Sequence, residues 1–302
     1  MEATPGIEPG YTALQAAASP LRHVAVIRTG EAGPESGAAL LARGLAPVKR
    51  NWGEQARAGK SATLRGLPDS AMPLRIGILA FREGEMDYAA ARRRMVDSQV
   101  RTNDVTDLRI QTAMEATPRE IFLPSELRDQ AYVEREIVYG PGRHLLRARD
   151  FAKLVAAADP QQGDLVLNAV CGSGYSTAIL ARLADMVVSL DSDEALAAQA
   201  QENLTSLGFS NAAVIVGDAW TGAADQGPFD LIFLGGAIET RPDRLLDQLK
   251  DGGRLATILR RDGVSRGGIY RRNGDACAFT GLFDAATNAI LPGFEKPKAF
   301  VF

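Results

Sequence analysis

The stretch Leu165-Val-Leu-Asn-Ala-Val-Cys-Gly-Ser-Gly-Tyr175, followed by Met186-Val-Val-Ser-Leu-Asp191, decides the fold. A short apolar run leads into a glycine turn and a helical pattern, and a second apolar run then ends in an acid. This order predicts a βαβ unit that forms the first part of a nucleotide-binding site. Gly172 and Gly174 carry no Cβ, so backbone N–H groups can approach a ligand at the start of the helix. Asp191, at the end of the second strand, is predicted to accept hydrogen bonds from ribose hydroxyls.

The glycine pattern indicates which adenosine-containing ligand would bind. A dinucleotide fold has the pattern G-x-G-x-x-G, but its third glycine, counted from Gly172, falls on Thr177. Enzymes that use S-adenosylmethionine favour an acid two residues before a G-x-G-x-G run. Here the run reads Val170-Cys-Gly-Ser-Gly174, and the position of the acid holds Asn168. The last two glycines fit this pattern, whereas the first glycine and the acid are replaced.

The downstream sequence extends the same alternation of strands and helices. Apolar runs predict strands near residues 165–169, 186–190, 212–216, 230–234 and 254–259, and helical patterns lie near 175–184, 193–207 and 242–249. The fold class predicted is α/β, a doubly wound, mostly parallel sheet of the Rossmann-like methyltransferase type. Asp218 follows the third of these strands and is predicted to contact adenine. Ser173, in the glycine turn, is also predicted to bind the cofactor. An Asn273-Gly274 pair predicts a hairpin near the C-terminus.

Length and composition limit the classes of function. The 302 residues carry a formal net charge of −3, so no basic excess points to nucleic acid, and no apolar run approaches the roughly 18 residues of a membrane span. Cys171 and Cys277 lie far apart without a nearby histidine pair, so neither a metal site nor a disulfide framework is expected. A cytoplasmic monomer is the expectation.

Residues 1–85 differ from the rest of the chain. Proline and glycine are scattered through them, and apolar residues follow neither a helical nor a strand period. We therefore predict a disordered or misassigned N-terminal extension, with the methyltransferase-like domain at 86–302. From Met86 onward the pattern is helical, with helices predicted over 87–100 and 105–116.

Several blocks resemble the protein-L-isoaspartate O-methyltransferase family over about residues 90–260. The most specific is Pro118-Arg-Glu-Ile-Phe-Leu-Pro124 followed by Ala131-Tyr132, and Gly140-Pro-Gly142, Gly172-Ser-Gly-Tyr175 and Gly217-Asp218 agree with it. The resemblance implies methyl transfer from S-adenosylmethionine to isoaspartyl carboxylates in damaged proteins, which is protein repair. A protein or peptide with isoaspartyl residues would be the substrate, and no metal is implied.

The catalytic residues are left open by the resemblance. In this family the serine of a T-I-S-x-P string positions the carboxylate, and that serine falls on Leu146 of His144-Leu-Leu-Arg-Ala148. Leucine cannot donate a hydrogen bond, so His144 and Arg147 are the substitutes that the sequence offers. The alternatives are therefore a relative with another acceptor and a relative without catalysis; a nicotinamide-dependent oxidoreductase fits less well because of Thr177.

Overall fold

A computed structural model describes residues 86–287 and 289–297 of the chain. Residues 1–85, expected to be an extension or a misassigned start, lie outside the described residues. The domain boundary at Met86 therefore stays a prediction. Within the described ranges, no helix combines the length and the apolar content that a bilayer span requires.

Two helices begin the described chain, as the apolar stripes predict. Helix α1 spans Tyr88–Met95 and continues into a π-helical turn, Val96–Val100, and helix α2 spans Leu108–Ala116. Each helix is preceded by an aspartate, Asp87 or Asp107, whose side chain accepts a hydrogen bond from an amide of the first turn. These caps satisfy amides that have no partner within the helix.

A short antiparallel hairpin follows. Strand β1 spans Ile137–Gly140 and strand β2 spans Arg143–Leu145. Gly142, in the turn between them, has φ +62°, a left-handed conformation that glycine adopts without strain. A side chain at this position would also overlap Pro292. The hairpin is therefore fitted closely to the segment that follows the sheet.

The central sheet confirms the predicted fold class. Its seven strands are β3 Leu165–Asn168, β4 Met186–Asp191, β5 Ala212–Val216, β6 Phe229–Ile238, β7 Leu249–Arg261, β8 Val264–Asn273 and β9 Ala276–Asp284. They lie in the order β5-β4-β3-β6-β7-β8-β9. The first five strands in this order are parallel to one another, whereas β8 pairs antiparallel with β7 and β9 pairs antiparallel with β8. The strand order reverses between β3 and β6, and in such sheets a crevice for a ligand opens outside the carboxyl ends of the strands at that point.

Both faces of the central strands β3, β4 and β6 are buried. The further helices are α3 Ala148–Ala158, α4 Tyr175–Ala181, α5 Glu194–Ser206 and α6 Asp243–Leu246. Val166 and Leu231 belong to one apolar cluster, which includes residues of α1 to α4. Their sequence neighbours Leu167 and Ile232 belong to a second cluster with residues of α6. This alternation within each strand is what a sheet covered on both faces requires.

Two boundaries near the C-terminus were tested by the structure, with different outcomes. The helix predicted near 242–249 is wrong in length, because only the single turn of α6 forms and β7 already begins at Leu249. Between Leu249 and Arg254 the strand bulges at Gly252, whose φ is +76°. The hairpin predicted at Asn273-Gly274 is confirmed, with Asn273 paired to Ala276 across a two-residue turn.

Candidate active site

The glycine turn lies at the carboxyl end of β3 and leads into α4. Gly172 and Gly174 have φ +54° and +99°, so both positions favour glycine for conformational reasons. The Gly172 N–H donates to Asp191 Oδ2 at 2.9 Å, and the Ser173 N–H donates to the hydroxyl of Tyr139 at 3.2 Å. The Ser173 hydroxyl donates to the Phe122 carbonyl, which fixes the turn against the N-terminal part of the domain.

Asp191 ends β4 directly beside this turn. Only 1% of the residue is exposed, and its carboxylate accepts three hydrogen bonds. The donors are Gly172 N–H, Asp193 N–H at 2.9 Å, and Arg143 Nη2 at 2.6 Å. The third contact is a buried ion pair, which the sequence did not predict.

Asp218 lies beyond the end of β5 and is exposed. Its carboxylate accepts a hydrogen bond from Trp220 N–H at 3.2 Å, and the Trp220 ring packs against Phe294. A cavity of about 150 Å³ brings the two predicted acids together, since Asp191 and Asp218 both line it. The predicted cofactor residues Gly172, Asp191 and Asp218 are thus at the same edge of the sheet.

The two altered positions of the cofactor motif also lie at this edge. Asn168, fully buried at the end of β3, donates from Nδ2 to the hydroxyls of Ser176 and Thr177 at 2.8 and 2.9 Å. Its Oδ1 is buried and has no hydrogen-bond partner in the described part of the chain. Val170 lines the 150 Å³ cavity, so its side chain takes up space near the predicted ligand.

The acceptor side of the site contains the residues proposed in place of the family serine. Leu146 is 3% exposed, and its carbonyl accepts a hydrogen bond from Arg119 Nη2 at 2.7 Å. The His144 side chain is also buried, 3.5 Å from Glu136, and neither ring nitrogen has a hydrogen-bond partner among the described residues. Burial lowers the pKa of His144, so its imidazole is neutral at pH 7.

Arg147 is directed elsewhere. Its guanidinium donates to Asp150 Oδ2 through Nε at 3.0 Å and Nη2 at 2.8 Å, at the beginning of α3. His144 and Leu146 line a second cavity of about 30 Å³, but Arg147 does not. Of the two substitutes that the sequence offers, His144 therefore lines this cavity and Arg147 does not, and His144 is an uncharged group there.

Three residues at the site were missed by sequence reasoning. Tyr139 and Arg143 belong to the β1–β2 hairpin and contact the glycine turn and Asp191. A Cβ at Gly172 would overlap the Tyr139 hydroxyl oxygen. Arg119 is buried, with its guanidinium 4.9 Å from the centre of the Tyr175 ring and its Nη1 without a hydrogen-bond partner among the described residues. The only available signal was their position in or beside the Pro118–Pro124 and Gly140–Gly142 blocks.

The match to known proteins covers all of these elements. Residues 90–276 match the family model described as protein-L-isoaspartate(D-aspartate) O-methyltransferase. A protein-L-isoaspartate O-methyltransferase of Maricaulis maris is 34% identical over 194 residues, which is 64% of this chain and 91% of that protein. The corresponding protein of a Synechococcus strain is 39% identical over 168 residues, 56% of this chain and 69% of that protein.

The chain belongs to the protein-L-isoaspartate O-methyltransferase family.

Solved structures agree with the family at the level of the fold. One protein-L-isoaspartate O-methyltransferase has a TM-score of 0.59 at 21% identity, covering 67% of this chain and 66% of that one. A Plasmodium falciparum protein, solved in complex with S-adenosyl-L-homocysteine, has a TM-score of 0.56 at 17% identity, covering 66% of this chain and 97% of that one. At these identities the likeness shows a shared Rossmann-like architecture.

The cofactor of this methyltransferase family is S-adenosylmethionine, and the hydrogen-bond acceptors of the site suit it. A carboxylate at the end of β4 suits a ribose diol, and the unpartnered Asn168 Oδ1 suits an ammonium group. The polar groups of the site therefore fit the cofactor.

Proposed function

We propose that this chain transfers a methyl group from S-adenosylmethionine to the carboxylate of isoaspartyl residues in proteins. The observation that carries the proposal is the family match over residues 90–276, which contains the glycine turn, Asp191 and the β1–β2 hairpin. Their arrangement supports it, because Gly172 N–H and Asp191 are hydrogen-bonded at the carboxyl edge of the sheet, where ligands of this fold class bind.

The reaction requires little from the protein beyond binding and orientation. S-Adenosylmethionine supplies an electrophilic methyl group on a sulfonium, which the acceptor carboxylate attacks to give a methyl ester and S-adenosylhomocysteine. A carboxylate is already ionised at neutral pH, so no side chain has to remove a proton from it. Rate acceleration then comes from alignment of the two groups and from exclusion of water.

The cofactor residues have distinct proposed roles. Gly172 and Gly174 allow the backbone of the turn to lie against the ligand, with Ser173 between them. Asp191 binds the ribose hydroxyls, and Asp218 lies beside the adenine. Asn168 Oδ1, which lacks a partner among the described residues, accepts from the ammonium end in place of the carboxylate that other methyltransferases have there.

The acceptor carboxylate needs a donor that Leu146 cannot provide. Arg147 is already bound to Asp150, and His144 is neutral. Arg119 lines the same 30 Å³ cavity as Leu146 and His144, and its Nη1 is a buried donor without a partner in the described chain. A guanidinium is well suited to a carboxylate, so Arg119 is the group we propose for positioning the acceptor.

A methyl-transfer assay on the full chain tests this function. The protein is incubated with methyl-labelled S-adenosylmethionine and either an isoaspartyl peptide or the same peptide with ordinary aspartate. We expect base-labile label on the isoaspartyl peptide alone, and loss of that label in Asp191→Asn. Absence of label on the isoaspartyl peptide, although S-adenosylhomocysteine binds, would reject the proposed acceptor.

One observation favours a second candidate, a relative with another methyl acceptor or without catalysis. The side chain at the family serine position is a buried leucine, so the usual hydroxyl is missing. The same assay separates the candidates, since a relative with another acceptor binds S-adenosylhomocysteine and labels a different carboxylate or nucleophile. A non-catalytic relative would label nothing.

The partners and the location are further parts of this proposal. The substrate is a protein with isoaspartyl residues, the enzyme acts as a monomer, and the cytoplasm is its place of action. Cys171 and Cys277 are both unpaired, which is consistent with a reducing compartment. Burial raises the pKa of the Cys171 thiol, so the cysteine in the glycine turn is not a nucleophile at neutral pH.

A further inference from the structure

The β1–β2 hairpin brings a cation onto the carboxylate that would bind ribose. Arg143 Nη2 lies 2.6 Å from Asp191 Oδ1, and both side chains are buried, with 8% and 0% exposed. The same Nη2 lies 3.3 Å from the Ser192 hydroxyl. This ion pair gives Asp191 a third hydrogen bond, besides those from two backbone amides.

The hydrogen-bonding capacity of Asp191 does not allow this pair and a ribose diol together. A carboxylate has about four lone-pair sites. Three are used by Gly172 N–H, Asp193 N–H and Arg143 Nη2. A diol with two hydroxyl donors needs two, so one internal bond has to break. Two of the three hydrogen bonds come from backbone amides, of the turn and of the strand end. The Arg143 side chain is therefore the donor that can move.

The cavities lead to the same residue. Arg143 and Val170 line both the 150 Å³ cavity beside Asp191 and Asp218 and the 30 Å³ cavity beside Leu146. Arg143 thus borders both the adenosine side and the acceptor side of the proposed site. A movement of its side chain would therefore change both cavities.

The bound position also leaves Arg143 incompletely satisfied. Its Nε is buried and has no hydrogen-bond partner among the described residues. A buried donor without a partner costs stability, which offsets part of the gain from the ion pair. Movement of Arg143 away from Asp191 therefore breaks the ion pair. It also removes Nε from the position in which it lacks a partner.

We propose that Arg143 controls cofactor affinity by occupying Asp191, and that the ligand binds only after Arg143 has released this carboxylate. The inference rests on the proposed function, because it takes Asp191 as the ribose-binding group. The closed arrangement lowers the apparent affinity in proportion to the fraction of molecules that are open. Replacement of Arg143 by a side chain that cannot reach Asp191 should then tighten binding.

Calorimetric titration of the full chain with S-adenosylhomocysteine tests the proposal. We expect Arg143→Ala to bind about ten- to a hundredfold more tightly than the parent, the factor that corresponds to one charge-assisted hydrogen bond. Arg271→Ala is the matched control, since Arg271 is exposed on β8 and its guanidinium donates to the Gly252 carbonyl, away from the proposed site. Its affinity should equal that of the parent.

The outcomes separate this inference from the function on which it rests. If the parent binds and Arg143→Ala binds equally or more weakly, Arg143 does not compete with the ligand and the proposal is overturned. If neither protein binds at millimolar ligand, the cofactor assignment itself fails, and the inference fails with it. If the alanine variant does not fold, Arg143→Gln tests the same prediction, because glutamine is uncharged and shorter than arginine.

Discussion

The two sides of the site differ in how their side chains are held. On the cofactor side, Gly172 and Asp191 are joined by a hydrogen bond between the ends of two neighbouring parallel strands. On the acceptor side, His144 and Leu146 are buried in the hairpin region, and Arg147 is paired with Asp150. Two backbone amides and the Arg143 guanidinium hold Asp191 on the cofactor side, whereas burial and the local Arg147–Asp150 ion pair hold the acceptor side. Variants on the two sides should therefore lower the free energy of unfolding for different physical reasons.

The largest effect is expected for Asp191→Ala. This change leaves the buried Arg143 guanidinium without its carboxylate, which should lower the free energy of unfolding by about 3–5 kcal/mol. Asp218→Ala is the control, because the exposed Asp218 carboxylate accepts a hydrogen bond from a single amide, that of Trp220. Loss of this hydrogen bond should cost about 1 kcal/mol or less. Urea denaturation of both variants measures the difference. Equal costs would mean that the Arg143–Asp191 pair contributes nothing to the fold.

The acceptor side is tested by Leu146→Ser, which introduces the hydroxyl that the family has at this position. Because Leu146 is buried, the loss of its side chain should lower the free energy of unfolding by about 2–4 kcal/mol. Leu108→Ser, at a leucine that is 71% exposed, is the matched control and should change the value by less than about 1 kcal/mol. If both changes cost the same, Leu146 is not part of the core.

Adding Asn168→Glu to the Leu146→Ser variant is expected to lower its stability further. Asn168 Nδ2 donates to Ser176 and Thr177, and glutamate would remove both donors and bury a charge. The double variant should therefore be less stable than Leu146→Ser in the same denaturation experiment. A double variant of equal or greater stability would show that the hydroxyls rearrange to donate to the new carboxylate.

Particular residues show how far sequence reasoning reaches. The strands follow from their apolar runs, and the positions of Gly172, Asp191 and the Asn273-Gly274 turn follow from local patterns with few conformational solutions. The contact of Arg143 with Asp191 joins residues 48 positions apart, and no local pattern encodes it. Arg119 likewise holds the carbonyls of Ala131 and Leu146, so its role depends on the completed fold.

A smaller effect is expected for Gly172→Ala. The φ of +54° is strained for alanine, and the new Cβ would overlap the Tyr139 hydroxyl, so the free energy of unfolding should fall by about 1–3 kcal/mol. Gly163→Ala has nothing within 4 Å of its Cβ and should be nearly neutral. Combining Gly172→Ala with Tyr139→Phe should recover part of the loss. No recovery would show that the backbone strain alone sets the cost.

The smallest effect concerns pH. Burial lowers the pKa of His144 in the folded state, with Glu136 opposing this shift and Arg143 adding to it. The unfolded chain therefore binds a proton near pH 6.5 that the folded chain does not, so stability is complete above that pH and falls as the pH drops below it. His144→Gln should reduce the slope of the unfolding free energy between pH 6.5 and 5 by at most about 1.4 kcal/mol per pH unit. An unchanged slope would show that His144 titrates normally.

Hydrogen exchange of the full chain, with and without S-adenosylhomocysteine, tests most directly whether the carboxyl edge of the sheet is the cofactor site. The account predicts slower amide exchange on ligand binding at the glycine turn, residues 170–175, and at the end of β4, residues 189–193. Exchange in the β8–β9 hairpin, residues 264–284, should not change. Protection confined to other segments, or binding without protection at the turn and at the end of β4, would contradict the assignment of the cofactor to Gly172 and Asp191.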